Sequence, residues 1–197
     1  MTSLEFWPAV VLAIVVIAWF AFGILFFARK QPSGGPESQR EQTAIVGIVL
    51  QAASYGIAWL VHRPYFSSIV ALSKPLEIAL AVFTILVAVG SAWFVSTAIR
   101  TLGKQWSLGA RLIEGHKLIT EGPYRLVRNP IYTGMFGMLL ATGLAVSHWV
   151  GLLIAITVYA VGTAIRVHSE EKLLRGAFGA EFDSYARRVP AVIPFLF

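Results

Sequence analysis

Long uncharged apolar stretches alternate with short polar segments along this chain. Phe6 to Ala28, Thr43 to Val61 and Ile78 to Ile99 carry no charged residue over 23, 19 and 22 positions. A helix crossing a bilayer needs about 20 such residues, so each stretch predicts one span. Asn129 to Ile165 is uncharged over 37 residues. As one helix it would be about 55 Å long, nearly twice the hydrocarbon thickness. A break at Ser147-His148 divides it into two short spans. The pattern therefore predicts an all-α integral membrane protein with five transmembrane helices, the last two a helical hairpin. The first stretch lacks a basic leader and a good small-residue cleavage site, so it reads as a span and not as a cleaved signal peptide.

Two halves follow. Residues 1–99 hold three helices, with breaks near 29–42 and 62–77. Residues 100–197 hold a polar connector from about Arg100 to Arg128, the hairpin 129–165 and a tail from about Arg166. The tail is expected to continue the fifth helix, break near Phe178-Gly179 and form a short amphipathic helix. QPSGGPES, Gln31 to Ser38, reads as a plain Gly/Pro/Ser linker. HKLITE, from His116 to Glu121, alternates as an extended segment does.

Composition sharpens this picture. The chain is 57% hydrophobic and 13% charged, against about a quarter charged in soluble domains. It has no Cys, which removes disulfides, thiolate metal sites and cysteine nucleophiles. The net charge of +6 comes from 16 Lys and Arg, and only Arg63 and Lys74 fall between the second and third spans. The rest lie on the opposite side, which predicts the N-terminus outside and the C-terminus in the cytoplasm. That charge faces anionic lipid; no basic face on a water-exposed helix suggests nucleic acid.

The polar chemistry concentrates in the connector and the tail, on one membrane side. GPYRLVRNPIYTG, Gly122 to Gly134, places two arginines and two tyrosines around two prolines. It resembles the GPY-x-x-x-RHP-x-Y-x-G signature of the isoprenylcysteine carboxyl methyltransferase family, membrane enzymes related to phospholipid methyltransferases. The preceding GHKLIT and the tail EEKLLRGAFGAEFDSYARRVPAVIP are similar to that family's lead-in and ending. The resemblance covers about Leu102 to Pro194. Asn129 stands where the signature has His; it keeps a donor and an acceptor but cannot ionise.

The resemblance implies an S-adenosylmethionine-dependent methyltransferase acting on a lipophilic acceptor at the cytoplasmic face. In the isoprenylcysteine case the acceptor is a carboxylate. It implies a cofactor site at His116, Lys117, Leu118, Ile119, Tyr124, Arg128, Asn129, Pro130, Tyr132 and Glu170, with Arg166 toward the substrate. The chemistry of these side chains is compatible with that. Arg128 can pair with the cofactor carboxylate, Glu170 can accept from an amino or ribose group, and Leu118 and Ile119 can pack adenine. Arg166 can hold an anionic acceptor. A carboxylate is already ionised at neutral pH, so its methylation needs alignment in a dry site and no general base.

Plainer readings stand beside these. Arg125 fits an interfacial snorkeller. Tyr124 and Tyr132 fit an aromatic belt, and Trp106 and Trp149 fit interface anchors. Arg166 and Glu170, spaced i, i+4, fit a simple salt bridge. Glu171 points elsewhere on the helix, His62 and His148 fall on the far side and fit an interface, and His168 could be a ligand or base although nothing places it near the others. No metal-ligand spacing and no Ser-His-Asp set is recognisable. Two other function classes fit the pattern: a sterol-reductase-type NADPH enzyme, which shares a VP-x-x-IP ending, and a non-catalytic membrane protein. A phospholipid amine is a further acceptor for the methyltransferase reading.

Overall fold

A computed structural model of the chain describes residues 6–27, 37–40, 43–65, 67, 69, 73–107, 111–113, 115 and 117–194. Its helices are α1 (Phe6–Phe27), α2 (Ala44–Leu60), α3 (Lys74–Leu102), α4 (Pro130–Val146), α5 (Trp149–Phe178) and the short α6 (Ala180–Ala186). α1, α3 and α5 are long and apolar enough to cross a membrane, while α2 and α4 are shorter apolar helices. At 1.5 Å per residue their 17 residues reach about 26 Å, against a hydrocarbon core of about 30 Å.

Local chemistry sets the helix limits. α3 starts after Ser73 in extended conformation, with Pro75 at the second position, and stops at Gly103 with φ 57°. It therefore overruns the uncharged stretch at both ends: Glu77 in the first turn and Arg100 in the last complement the helix dipole, and Lys74 pairs with Glu77 at 3.1 Å. α4 starts at Pro130, whose missing N–H needs no partner there. α5 runs for 30 residues, from the apolar arm of the hairpin into the polar tail, and ends at Gly179 with φ 49°. Arg166, Glu170 and Glu171 thus ride on a rigid extension of the hairpin.

One element departs from the sequence reading. β1 (Glu37–Arg40) and β2 (Arg111–Ile113) pair antiparallel, with Gln39 opposite Leu112. Ser38 and its neighbours are therefore strand and not plain linker, since the backbone groups of one polar segment satisfy those of the other. The rest of that linker, together with Arg29, Lys30 and Gly109, lies outside the described residues.

α4 is the hub, packing on α1, α2, α3 and α5. A Cβ at Gly134 would overlap the Val95 side chain of α3, so glycine is what permits this approach. The small residues of α4 are used inside the chain. α1 and α2 both lie against α4, and the space between them is floored by Ile131 and Met135.

At the opposite end from the connector, Arg63 is pinned among backbone carbonyls. It is only 7% exposed. Its Nη1 donates to the Ser147 carbonyl at 2.7 Å, its Nη2 to Leu144 and Ala145 at 2.8 Å each, and its Nε to Ser67 at 2.9 Å. The carbonyls of Leu144, Ala145 and Ser147 are orphan acceptors that end α4, where a cation also meets the negative end of the helix dipole, and that of Ser67 belongs to the α2–α3 loop. Desolvation lowers this guanidinium to about 10, still charged at neutral pH. Counted from sequence as one more loop cation, Arg63 is instead the clasp between the α2–α3 loop and the hairpin. Arg63→Met is expected to destabilise the fold by about 3 kcal/mol, through several unpaired carbonyls. Thermal unfolding in detergent checks this, and ligand binding at the other end of the bundle should be unchanged.

Candidate functional site

The site begins with a turn that the sequence builds stiffly. Gly122 adopts φ +58°, with the Thr101 side chain where a Cβ would point. Pro123 then opens a single 3-10 turn, Gly122–Arg125. It buries Tyr124 and exposes Arg125. Val127 is fully buried and anchors the chain before Asn129 and Pro130 launch α4.

The tail is laid across this junction by backbone pairing. The amides of Arg128 and Asn129 donate to the carbonyls of Pro190 and Ala191 at 2.8 and 2.9 Å. Asn129 Nδ2 adds a second bond to the Ala191 carbonyl at 3.0 Å, and Thr133 Oγ1 donates to Val192 at 2.5 Å. Arg128 Nη1 reaches the carbonyls of Ala186 and Val189, and its Nε donates to Glu171 Oε1 at 2.8 Å. The Tyr185 hydroxyl donates to the Tyr124 carbonyl at 2.6 Å. The GPY…NP and VPAVIP motifs are thus two halves of one latch, which is why they occur together. Burial pushes the Tyr185 phenol up to about 12, with Arg128 pulling it down and Glu171 pushing it up. Burial, reinforced by Glu170 and Tyr185, also raises the Tyr124 phenol. Both remain hydrogen-bond donors at neutral pH.

Inside the latch lies a cavity of about 470 Å³. Lys117, Leu118, Ile119, Tyr124, Arg128, Asn129, Pro130, Tyr132, Arg166 and Glu170 all line it. Residues far apart in sequence are therefore brought to one place. His116 lies outside the described residues. Glu170 is the polar centre: its Oε1 accepts from the Tyr132 hydroxyl and from Arg166 Nη2, the latter at 3.3 Å. The Arg166 guanidinium lies 4.9 Å from the Tyr132 ring centroid, in cation–π contact. Beyond this polar centre the wall becomes apolar, formed by Trp19, Phe22 and Phe26 of α1 and Ile48, Ala52 and Tyr55 of α2.

Several sequence expectations change here. Trp106 is not an interface anchor. It is 3% exposed, packs edge-on against Phe26 and lines the cavity, because the chain folds back under α1 after α3. Trp149, 53% exposed, fits the anchor reading. Glu171 does not point away from the site: Arg128 reaches over from the turn and draws it into the cavity wall. Arg128 is committed to Glu171 and the tail, so its role as a two-pronged clamp on a cofactor carboxylate is curtailed. Arg125 and His168 are exposed and stay off the cavity. Gln51 and Gln105 escaped the sequence reading; lone amides in or beside apolar runs carry no motif. Gln105 accepts from the Lys117 backbone amide and so fixes the lead-in segment of the site. Among the described residues, no three His, Asp or Glu side chains group closely enough to hold a metal ion.

Comparison with known proteins bears on this arrangement. A family model described as phospholipid methyltransferase matches residues 78–181. Protein-S-isoprenylcysteine O-methyltransferase B of Arabidopsis thaliana is 33% identical over 102 residues, 51% of this chain and 52% of that protein. The Schizosaccharomyces pombe protein-S-isoprenylcysteine O-methyltransferase is 30% identical over 103 residues, 51% of this chain and 44% of its own length. The cobalt-zinc-cadmium resistance protein CzcN of Cupriavidus metallidurans is 36% identical over 110 residues, 52% of this chain and 47% of that protein. The chain spans about half the length of these curated relatives. The family match runs from the first turns of α3 into α6 and so takes in the turn, the hairpin, Arg166 and Glu170. On that match this integral membrane protein belongs to the phospholipid methyltransferase family.

Proposed function

We propose that the chain is a membrane methyltransferase that moves a methyl group from S-adenosylmethionine to a lipophilic carboxylate. The observation that carries this reading is Glu170: a carboxylate held by Arg166 and Tyr132 where a polar pocket meets an apolar wall. The cavity suits the cofactor in its chemistry. Glu170 offers an acceptor for an amino or ribose group, Leu118 and Ile119 offer apolar packing for adenine, and buried Tyr124 offers a rigid wall. When bound, the sulfonium of S-adenosylmethionine supplies an activated methyl group.

The residues of the chain then have an alignment task. Arg166, buried and directed into the cavity, holds the acceptor carboxylate by charge-assisted hydrogen bonds. The aromatic wall of α1 and the α2 face hold the apolar part and keep water out. No proton needs removing from an ionised carboxylate. In this reading α2 and α4 also span the bilayer, giving five spans, and the excess of Lys and Arg in the segments that follow α1, α3 and α5 in sequence supports a cytoplasmic site. Both arginines of the cavity are paired with carboxylates. Among the described residues that leaves Lys117 as the one further Lys or Arg of the cavity wall, less than the arginine cluster that the 2′-phosphate of NADPH would favour, which weighs against a reductase.

Labelled methyl donor offers the test. Incubated with the purified protein and a prenylated cysteine bearing a free carboxylate, it should yield a methyl ester whose label alkali releases as methanol. Alkali-stable label on a lipid amine would redirect the reading to phospholipid N-methylation, and no transfer to either would remove it.

A further inference from the structure

Gln51 is a buried amide, 2% exposed, in the middle of an apolar helix. A polar group at that depth is costly unless it is fully engaged. Both ends of this one are. Its Nε2 donates to Thr163 Oγ1 at 2.9 Å, and its Oε1 accepts from Arg166 Nη1 at 3.3 Å. Thr163 and Arg166 are three residues apart on α5, so they share one face. An amide has one donor end and one acceptor end. With Thr163 holding the donor, the carbonyl is left facing the guanidinium.

The backbone is shaped to bring this amide in. One turn before Gln51, Gly47 faces the stem of Arg166. A Cβ there would overlap Arg166 Cγ and lie 2.7 Å from the Gly162 carbonyl. The glycine therefore lets α2 approach α5 closely enough for Gln51 to reach. Arg166 is gripped by Gln51 from α2, by Glu170 one turn along its own helix, and by the face of Tyr132. Glu170, itself in the cavity wall, holds Nη2 of the guanidinium, and Gln51 holds Nη1. Gln51 does so without adding a negative charge, and it lies outside the family-matched segment.

We infer that Gln51 is a positioning residue that holds Arg166 for an anionic acceptor, so that α2 sets acceptor affinity; this rests on the methyltransferase reading above. Gln51→Glu keeps the shape and introduces a competing carboxylate, whereas Gln51→Met keeps the volume and drops both hydrogen bonds. Binding of S-adenosylhomocysteine is measured by calorimetry, and kinetics with S-farnesylcysteine bearing a free carboxylate. The expected result for Gln51→Glu is an acceptor KM raised by at least about tenfold, with kcat within about threefold and S-adenosylhomocysteine affinity unchanged. Gln51→Met should raise KM less. An unchanged KM in Gln51→Glu overturns the inference, as does a parallel loss of S-adenosylhomocysteine affinity in both variants, which would mark Gln51 as part of the packing only. Absence of S-adenosylhomocysteine binding in the unaltered protein overturns the methyltransferase reading itself, and the inference with it.

Discussion

Glu170→Gln is expected to weaken S-adenosylhomocysteine binding by at least about a hundredfold while leaving the fold intact. The glutamine keeps the shape of the side chain and can still accept from Tyr132. It loses the charge that pairs with Arg166 and that a cofactor amino or ribose group would meet. Two charge-assisted hydrogen bonds at about 1.5 to 3 kcal/mol each account for such a loss. Stability should fall only modestly: Arg166, 6% exposed, loses its counter-charge, but the amide oxygen of the glutamine can still accept from it. Calorimetry gives the affinity, and a thermal melt without ligand gives the control. A variant that binds normally would place the cofactor elsewhere.

Arg128→Ala should do something different: loosen the latch. Its guanidinium ties Glu171, Ala186 and Val189 to the turn. Its ion pair with Glu171 is well shielded, at 13% exposure on each side chain. Removing one member leaves a shielded carboxylate and two carbonyls unpaired, an effect of about 3 to 5 kcal/mol. The melting temperature should fall, the tail after α6 should become open to protease, and ligand binding should fail with it. Arg125→Ala, on the exposed side of the same turn, should change none of these. Normal protease resistance in Arg128→Ala would show that the backbone pairing of Pro190 and Ala191 suffices to hold the tail.

How much of this was legible in the sequence depends on the range of the signal. Long uncharged apolar stretches report helices shielded from water, so α1 to α5 could be placed as helices, three of them long and apolar enough to cross a membrane, and Ser147-His148 marked the hairpin turn. The connector and tail declared themselves through motifs, and the cavity they enclose gathers the site residues read from them that the structure describes. What the sequence could not show was which contact each polar group makes. Arg128 and Asn129 were read as facing a ligand; both line the cavity and are engaged by the tail as well. Arg63 looked like any loop cation because its partners are backbone carbonyls, which carry no sequence signature. Trp106 looked interfacial because nothing in its neighbours says that the chain doubles back beneath α1. Gln51 was hidden for the same reason: its meaning comes from Gly47 and from Thr163 and Arg166, more than a hundred residues later.

The central claim is that one cavity, walled by the Tyr124 turn and by α5, binds a sulfonium donor. Calorimetric titration of the detergent-solubilised protein with S-adenosylhomocysteine, run beside NADPH, tests it most directly. The account predicts one saturable site for S-adenosylhomocysteine, lost in Glu170→Gln, and no response to NADPH. No binding of S-adenosylhomocysteine, or saturable binding of NADPH in its place, would contradict it.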